Sequence, residues 1–153
     1  MPYLLDTNIL LRLFAEDDPR YEEVKVAVDR LRERGEMLSF APQNAAEFWN
    51  VATRPVERNG FGYTPSEADS LLTSAEQIAP PLPDVPAMYT HWRRLVREAG
   101  VSGVQVHDAR LVAWMQAHGV AHLLTLNPAD FSRYVSLADI TIVEPGEVEA
   151  RSR

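Results

Sequence analysis

A chain of 153 residues, 46% hydrophobic and 24% charged, has the size and make-up of one soluble domain with one core. It contains no cysteine, which excludes disulfides, a thiol nucleophile and cysteine-ligated zinc, and which fits a reducing, cytoplasmic setting. The formal net charge of −7 argues against a protein that coats nucleic acid with a basic surface, though not against an enzyme that meets it at a metal-charged cleft. The first residues lack a basic region and carry Asp6 inside an apolar stretch, so no signal peptide is expected. No apolar run approaches the roughly 20 residues that span a bilayer.

In chain order, "PYLLD" (2–6) reads as a short buried strand, followed by a helix over "TNILLRLFAE" (7–16) that "DDPR" breaks. An amphipathic helix over 21–35 places Tyr21, Val24, Val28 and Leu31 on one face and stops at Gly35. "MLSFA" (37–41) is a second strand. Pro42 opens a third helix that Pro55 closes. "VERNGFGYT" (56–64) reads either as a mobile loop lining a groove or as an ordinary connector. Thr64-Pro65-Ser66-Glu67 is a capping box, so a fourth helix runs to about Ile78. "APPLPD" is an extended link with an edge strand around Leu82, and a fifth helix covers 85–100. "VSGVQVHD" reads as a loop into a sixth helix, "ARLVAWMQAHG". Strands over 121–127 and 140–145 flank a helical turn. Residues 146–153 form a polar tail expected to fray. Strands alternating with helices predict an α/β fold, a mainly parallel sheet covered on both sides, in one domain over 1–145. Sites in such sheets collect beyond the carboxyl ends of the strands.

Four acids fall at or beside those ends. Asp6 stands where the first strand meets the first helix, and a plain helix cap would also explain it. Glu47 shares a polar stripe with Gln43, Asn50 and Arg54 on an otherwise apolar helix, a stripe that faces either solvent or a cleft. Asp108 opens a helix that is apolar all round, hence central, so its amino end is expected inside the body, where a carboxylate needs a partner. Asp130 follows a strand end, with Phe131 beside it as an anchor against the core. Carboxylates alone, without histidine or cysteine, suit Mg²⁺ or Mn²⁺. Like charges packed together repel without a cation.

The blocks "LLDTNILLR" (4–12), "AAEFWNVATRP" (45–55), "VSGVQVHDARLVAWM" (101–115) and "LLTLNPADF" (123–131) resemble the PIN-domain family, and within it the VapC-type toxins of toxin–antitoxin pairs. The resemblance spans nearly the whole chain. It implies a three-layer α/β/α domain with a central sheet of four or five strands. It also implies cleavage of RNA phosphodiester bonds by one or two Mg²⁺ or Mn²⁺ ions, a cognate antitoxin and a homodimer. The family's acidic positions fall on Asp6, Glu47 and Asp108, with Asp130 taken as the fourth and Asn127 as the other candidate for that place. Thr125 and Asn127 are expected to support the site, and Thr7 and Asn8 to offer donors to a phosphate. Arg12, Arg54 and Arg110 are expected to contact RNA or a partner, local ion pairs being the alternative. The apolar faces of the early helices are the expected dimer surface. His107 is read as a packed or supporting histidine, and Trp49, Trp92 and Trp114 as core. An RNA-processing nuclease without a toxin role and a catalytically silent binding module are the alternative functions. A phosphatase ranks below them, because a second aspartate two residues after Asp6 is missing; that place holds Asn8.

Overall fold

The computed structural model describes residues 1–149. Four strands, β1 (Pro2–Leu5), β2 (Met37–Ser39), β3 (His122–Leu124) and β4 (Thr141–Val143), form one sheet in the order β2-β1-β3-β4. Every pairing is parallel. Among the described residues, seven helices surround it: α1 (Thr7–Arg12), α2 (Tyr21–Glu33), α3 (Pro42–Thr53), α4 (Pro65–Ile78), α5 (Ala87–Glu98), α6 (Val106–His118) and α7 (Val135–Ala138). The two middle strands are buried runs, Tyr3-Leu4-Leu5 on β1 and Leu123-Leu124 on β3, as a sheet covered on both faces requires. Their register pairs Leu5 with Leu124. The next residues along each strand, Asp6 and Thr125, therefore emerge side by side at the carboxyl edge.

Helix α6 is the central helix that its composition implied. Ala109 and the run from Leu111 to Met115 are buried, and the Trp114 indole donates to the Leu82 carbonyl at 3.1 Å. Trp49 and Trp92 pack at the edge of the same core. The apolar faces of α1 and α2, through Ile9, Leu10, Val24, Val28 and Leu31, are buried in this core and leave no free face for a partner.

Several boundaries differ from the sequence expectation. The first helix stops at Arg12 rather than at residue 16. Leu13 and Ala15 turn inward, and Asp18 precedes Pro19, a position that disfavours helix. The sixth helix begins at Val106, because Gly103 takes a left-handed turn (φ +64°) that starts the winding early. Its amino end lies at the surface, not inside the body: His107 is exposed and Val106 and Asp108 are only part-buried. The edge strand near Leu82 reduces to a single bridge, Phe40 to Pro81. The tail does not fray at its start. Pro145–Glu147 form a turn, Val148 is buried, and Arg30 donates to its carbonyl at 2.8 Å. The rest of that tail, 150–153, lies outside the described residues.

The 56–64 segment is a fixed turn. Gly60 donates to the Pro55 carbonyl (3.0 Å), Phe61 to Val51 (3.0 Å), Gly62 to Arg54 (2.9 Å) and Tyr63 to Ala52 (2.8 Å). A Cβ at Gly60 would stand 1.9 Å from the Arg54 carbonyl oxygen, so the backbones approach only because position 60 is glycine. Gly60→Ala is expected to cost about 1–3 kcal/mol by forcing this turn open, seen as a Tm several degrees lower. Gly146→Ala, which meets nothing within 4 Å, should leave the Tm nearly unchanged.

Candidate active site

The carboxyl edge of the sheet gathers the predicted acids. Asp6 caps α1, its Oδ1 accepting from the Thr7 amide at 2.8 Å, and it is buried, 6% exposed, at the carboxyl edge of the sheet. Its Oδ2 accepts from the Thr125 hydroxyl at 2.7 Å and from the Asn8 amide at 3.2 Å. Asn8 is held in turn by the Leu126 backbone N–H, which donates to its Oδ1 at 3.1 Å. Asn127 contributes its backbone, the N–H donating to Thr125 Oγ1 at 3.0 Å, and its side chain is exposed. Thr125 and Asn8 thus support Asp6, and the donors expected for a phosphate at Thr7 and Asn8 are bonded within the site instead.

Glu47 meets this edge from α3. Its Oε2 accepts from the Thr7 hydroxyl at 2.7 Å and its Oε1 from the Gln43 amide at 2.9 Å. Asn44, fully buried and not anticipated, completes the seam. It donates to Thr7 Oγ1 at 3.1 Å and accepts from the Ala41 N–H at 2.9 Å. The clue was available: a carboxamide in the first turn of an apolar helix, three residues before Glu47 and so on the same face. The polar stripe divides, with Gln43 and Glu47 in the cleft and Asn50 exposed.

Asp108 is the third residue of α6, in the first turn, where the helix dipole favours a carboxylate. Among the described residues no hydrogen bond or ion pair reaches it. Asp130 is exposed on the turn Pro128–Asp130, and the buried Phe131 pins that turn to the core. Burial pushes the Asp6 carboxyl up to about 6, the Thr125 and Thr7 hydrogen bonds oppose this, and the Glu47 charge adds to it. Burial also pushes Asp108 up to about 6, helped by the charges of Asp130, Asp6 and Glu47 and opposed by Arg133. Asp108 therefore lies within electrostatic reach of Asp130, Asp6 and Glu47, and Asp6 within reach of Glu47. Arg133, three residues after Asp130 and missed in the sequence, is a cation at the same edge. As the side chains lie, no three histidine, aspartate or glutamate groups among the described residues are arranged to hold an ion.

The three arginines expected to reach outward are bonded locally. Arg12 donates to the Asn8 carbonyl and pairs with Asp18, Arg54 donates to the Asn59 carbonyl, and Arg110 joins Gln43 and Asp84. The His107 ring is exposed, and it is the carbonyl of that residue that takes part, accepting from Gln43 at 2.8 Å.

The family model for the PIN domain matches residues 3–137. The chain belongs to the PIN-domain family. Solved structures share its fold at low identity. One is VapBC-1 from nontypeable Haemophilus influenzae, with TM-score 0.67 and 19% identity over 95% of this PIN domain and 99% of that chain. Another is FitAcB from Neisseria gonorrhoeae, at 0.64 and 21% over 94% and 98%. A third is a toxin–antitoxin complex from Klebsiella pneumoniae, at 0.62 and 20% over 94% and 97%. At these identities the likeness establishes the fold, a three-layer α/β/α domain around a parallel sheet. No curated protein matches the chain significantly. None of the described helices of this PIN domain is long and apolar enough to cross a membrane.

Proposed function

We propose that this PIN domain is a divalent-metal-dependent endoribonuclease and the toxin of a toxin–antitoxin pair. One observation carries the proposal: Asp6, Glu47, Asp108 and Asp130 share one edge of the sheet, and no described lysine or arginine bonds to any of them. Asp6 and Asp108 sit at about 6, as carboxylates do when buried near like charge without a counter-ion. The donor set fits Mg²⁺ or Mn²⁺, because it is all carboxylate oxygen. Asp6 and Asp108 would be the principal ligands, with Asp130 completing the set. Among the described residues, no side-chain bond of Asp108 or Asp130 has to break in turning toward an ion. When bound, the ion supplies charge for the phosphate and a water acidic enough to attack it.

The chain's own groups divide the remaining work. Thr125 and the Thr7 amide fix Asp6, so its carboxylate needs no reorganisation. Thr7 and Gln43 fix Glu47, which would ligate, orient the attacking water or accept its proton. Arg133 would meet the RNA backbone at the rim, where an otherwise acidic chain needs positive charge.

An antitoxin is the proposed partner. The Klebsiella neighbour is a toxin–antitoxin complex by its own description. An acidic cleft takes an inserted guanidinium well, through bidentate bonds to carboxylates that would otherwise hold metal. A groove of about 700 Å³ combines acidic Glu16, Asp17 and Asp18 with apolar Phe14, Phe61 and Tyr63, which suits a basic amphipathic segment. A homodimer would need another surface than the buried apolar faces of the early helices. A cytoplasmic location accords with RNA as substrate.

The test is cleavage of RNA by purified protein with Mg²⁺ or Mn²⁺ and with EDTA, beside Asp6→Asn. Metal-dependent cleavage that the variant lacks is expected. Equal activity in both proteins, or neither RNA cleavage nor Mn²⁺ binding in wild type, would replace the nuclease with a silent binding module.

A further inference from the structure

We propose that Gln43 and Arg110 are positioning residues, a relay that sets the Glu47 carboxylate from the outer wall of the cleft. This rests on the proposed nuclease reading, in which Glu47 acts at the reacting phosphate. Gln43 stands one helical turn before Glu47 on α3, and its amide is saturated. One N–H goes to Glu47 Oε1 (2.9 Å) and the other to the His107 carbonyl (2.8 Å), and its Oε1 accepts from Arg110 (3.0 Å).

These partners leave the amide only one orientation. A flipped amide would face its oxygen toward two acceptors and its N–H₂ toward a guanidinium. Arg110 is itself aimed by Asp84, to which it donates at 2.9 Å. The Asp84–Arg110 pair is half-exposed and adds little stability by itself. What it adds is direction, because the guanidinium holds the Gln43 oxygen away from Glu47. The relay also ties α3, which carries Glu47, to α6, which carries Asp108. Arg110 spends one Nη on Gln43 and the other on Asp84, which turns the guanidinium toward the Gln43 oxygen.

Gln43→Leu should lower kcat for RNA cleavage by about 10–100-fold and leave KM unchanged, the size seen when groups behind a metal site are removed. Arg110→Met should lower kcat less, Arg110→Lys should restore most of that loss, and the double variant should be no worse than Gln43→Leu alone. Two readouts do not need turnover. Mn²⁺ affinity of Gln43→Leu should fall with kcat, and a crystal structure of that variant without metal should show Glu47 turned from its present rotamer.

Raised KM, unchanged kcat and additive losses would overturn the proposal and make Arg110 an RNA contact. If the wild type binds Mn²⁺ but cleaves no RNA, the nuclease reading fails and the other two readouts still judge the relay. Glu47 in its present position in the Gln43→Leu crystal would overturn it whatever the activity.

Discussion

Asp6→Asn should make the metal-free protein more stable at neutral pH while it ends metal-dependent cleavage. The sign follows from linkage. The Asp6 carboxyl lies at about 6 in the fold against an ordinary 3.8. Between those values the native state holds the proton more tightly than the unfolded chain does, so stability falls as pH rises through that window and is level above it. The deficit at pH 7 is roughly 3 kcal/mol, from about two units at 1.36 kcal/mol each. Asparagine removes the charge and keeps the bond from the Thr7 amide. It loses about 1 kcal/mol, because its N–H₂ faces the Asn8 amide donor at the old Oδ2. The net gain of about 1–2 kcal/mol should raise the Tm by several degrees in EDTA at pH 7. Cleavage should fall by more than about 100-fold, above the range for groups behind a ligand. A lower Tm for the variant in EDTA would show that Asp6 is a stabilising cap and not a strained ligand.

Mn²⁺ binding should weaken steeply below pH 6. Asp6 and Asp108 both sit at about 6, so an ion that binds there at lower pH displaces up to two protons. The apparent affinity should then drop by about 30-fold for the unit between pH 6 and pH 5, as two carboxyls near 6 take up their protons, and should be nearly flat above pH 7. The two groups titrate as a coupled set, so the slope belongs to the pair. Calorimetry in buffers of different ionisation enthalpy measures the protons released. The expected count is near two at pH 5 and near zero at pH 7.5. An affinity independent of pH from 5 to 7.5 would place the ion away from these carboxylates.

The acids were legible in the sequence because they obey local rules. Asp6 and Asp130 stand just past strand ends, and Asp108 starts a helix too apolar to be anything but central. A parallel sheet brings such places to one edge. The anchor at Phe131 was readable for the same reason, since an aromatic beside a turn has to go into the core. What could not be read locally is which neighbours meet across the crossovers. Asn44 bonds to Thr7 across 37 residues and Gln43 to the His107 carbonyl across 64, and no spacing along the chain encodes either contact. The arginines left two readings open for another reason. Exposure on a helix does not say whether a guanidinium turns outward or finds a carbonyl a few residues away, as Arg12 does at Asn8 and Arg54 at Asn59. The early start of α6 hinged on Gly103, a residue that reads as a loop until its φ is known to begin the helix.

The most direct measurement is anomalous diffraction from crystals grown with Mn²⁺. A peak in contact with Asp6 and Asp108, with Asp130 turned toward it and Glu47 still held by Thr7 and Gln43, is the predicted result. It would join the acids at the strand ends into one centre. No peak at saturating Mn²⁺, with Asp6 still bonded only to Thr7, Asn8 and Thr125, would contradict the account, because the cluster would then be a capped and buried acid beside unrelated surface carboxylates.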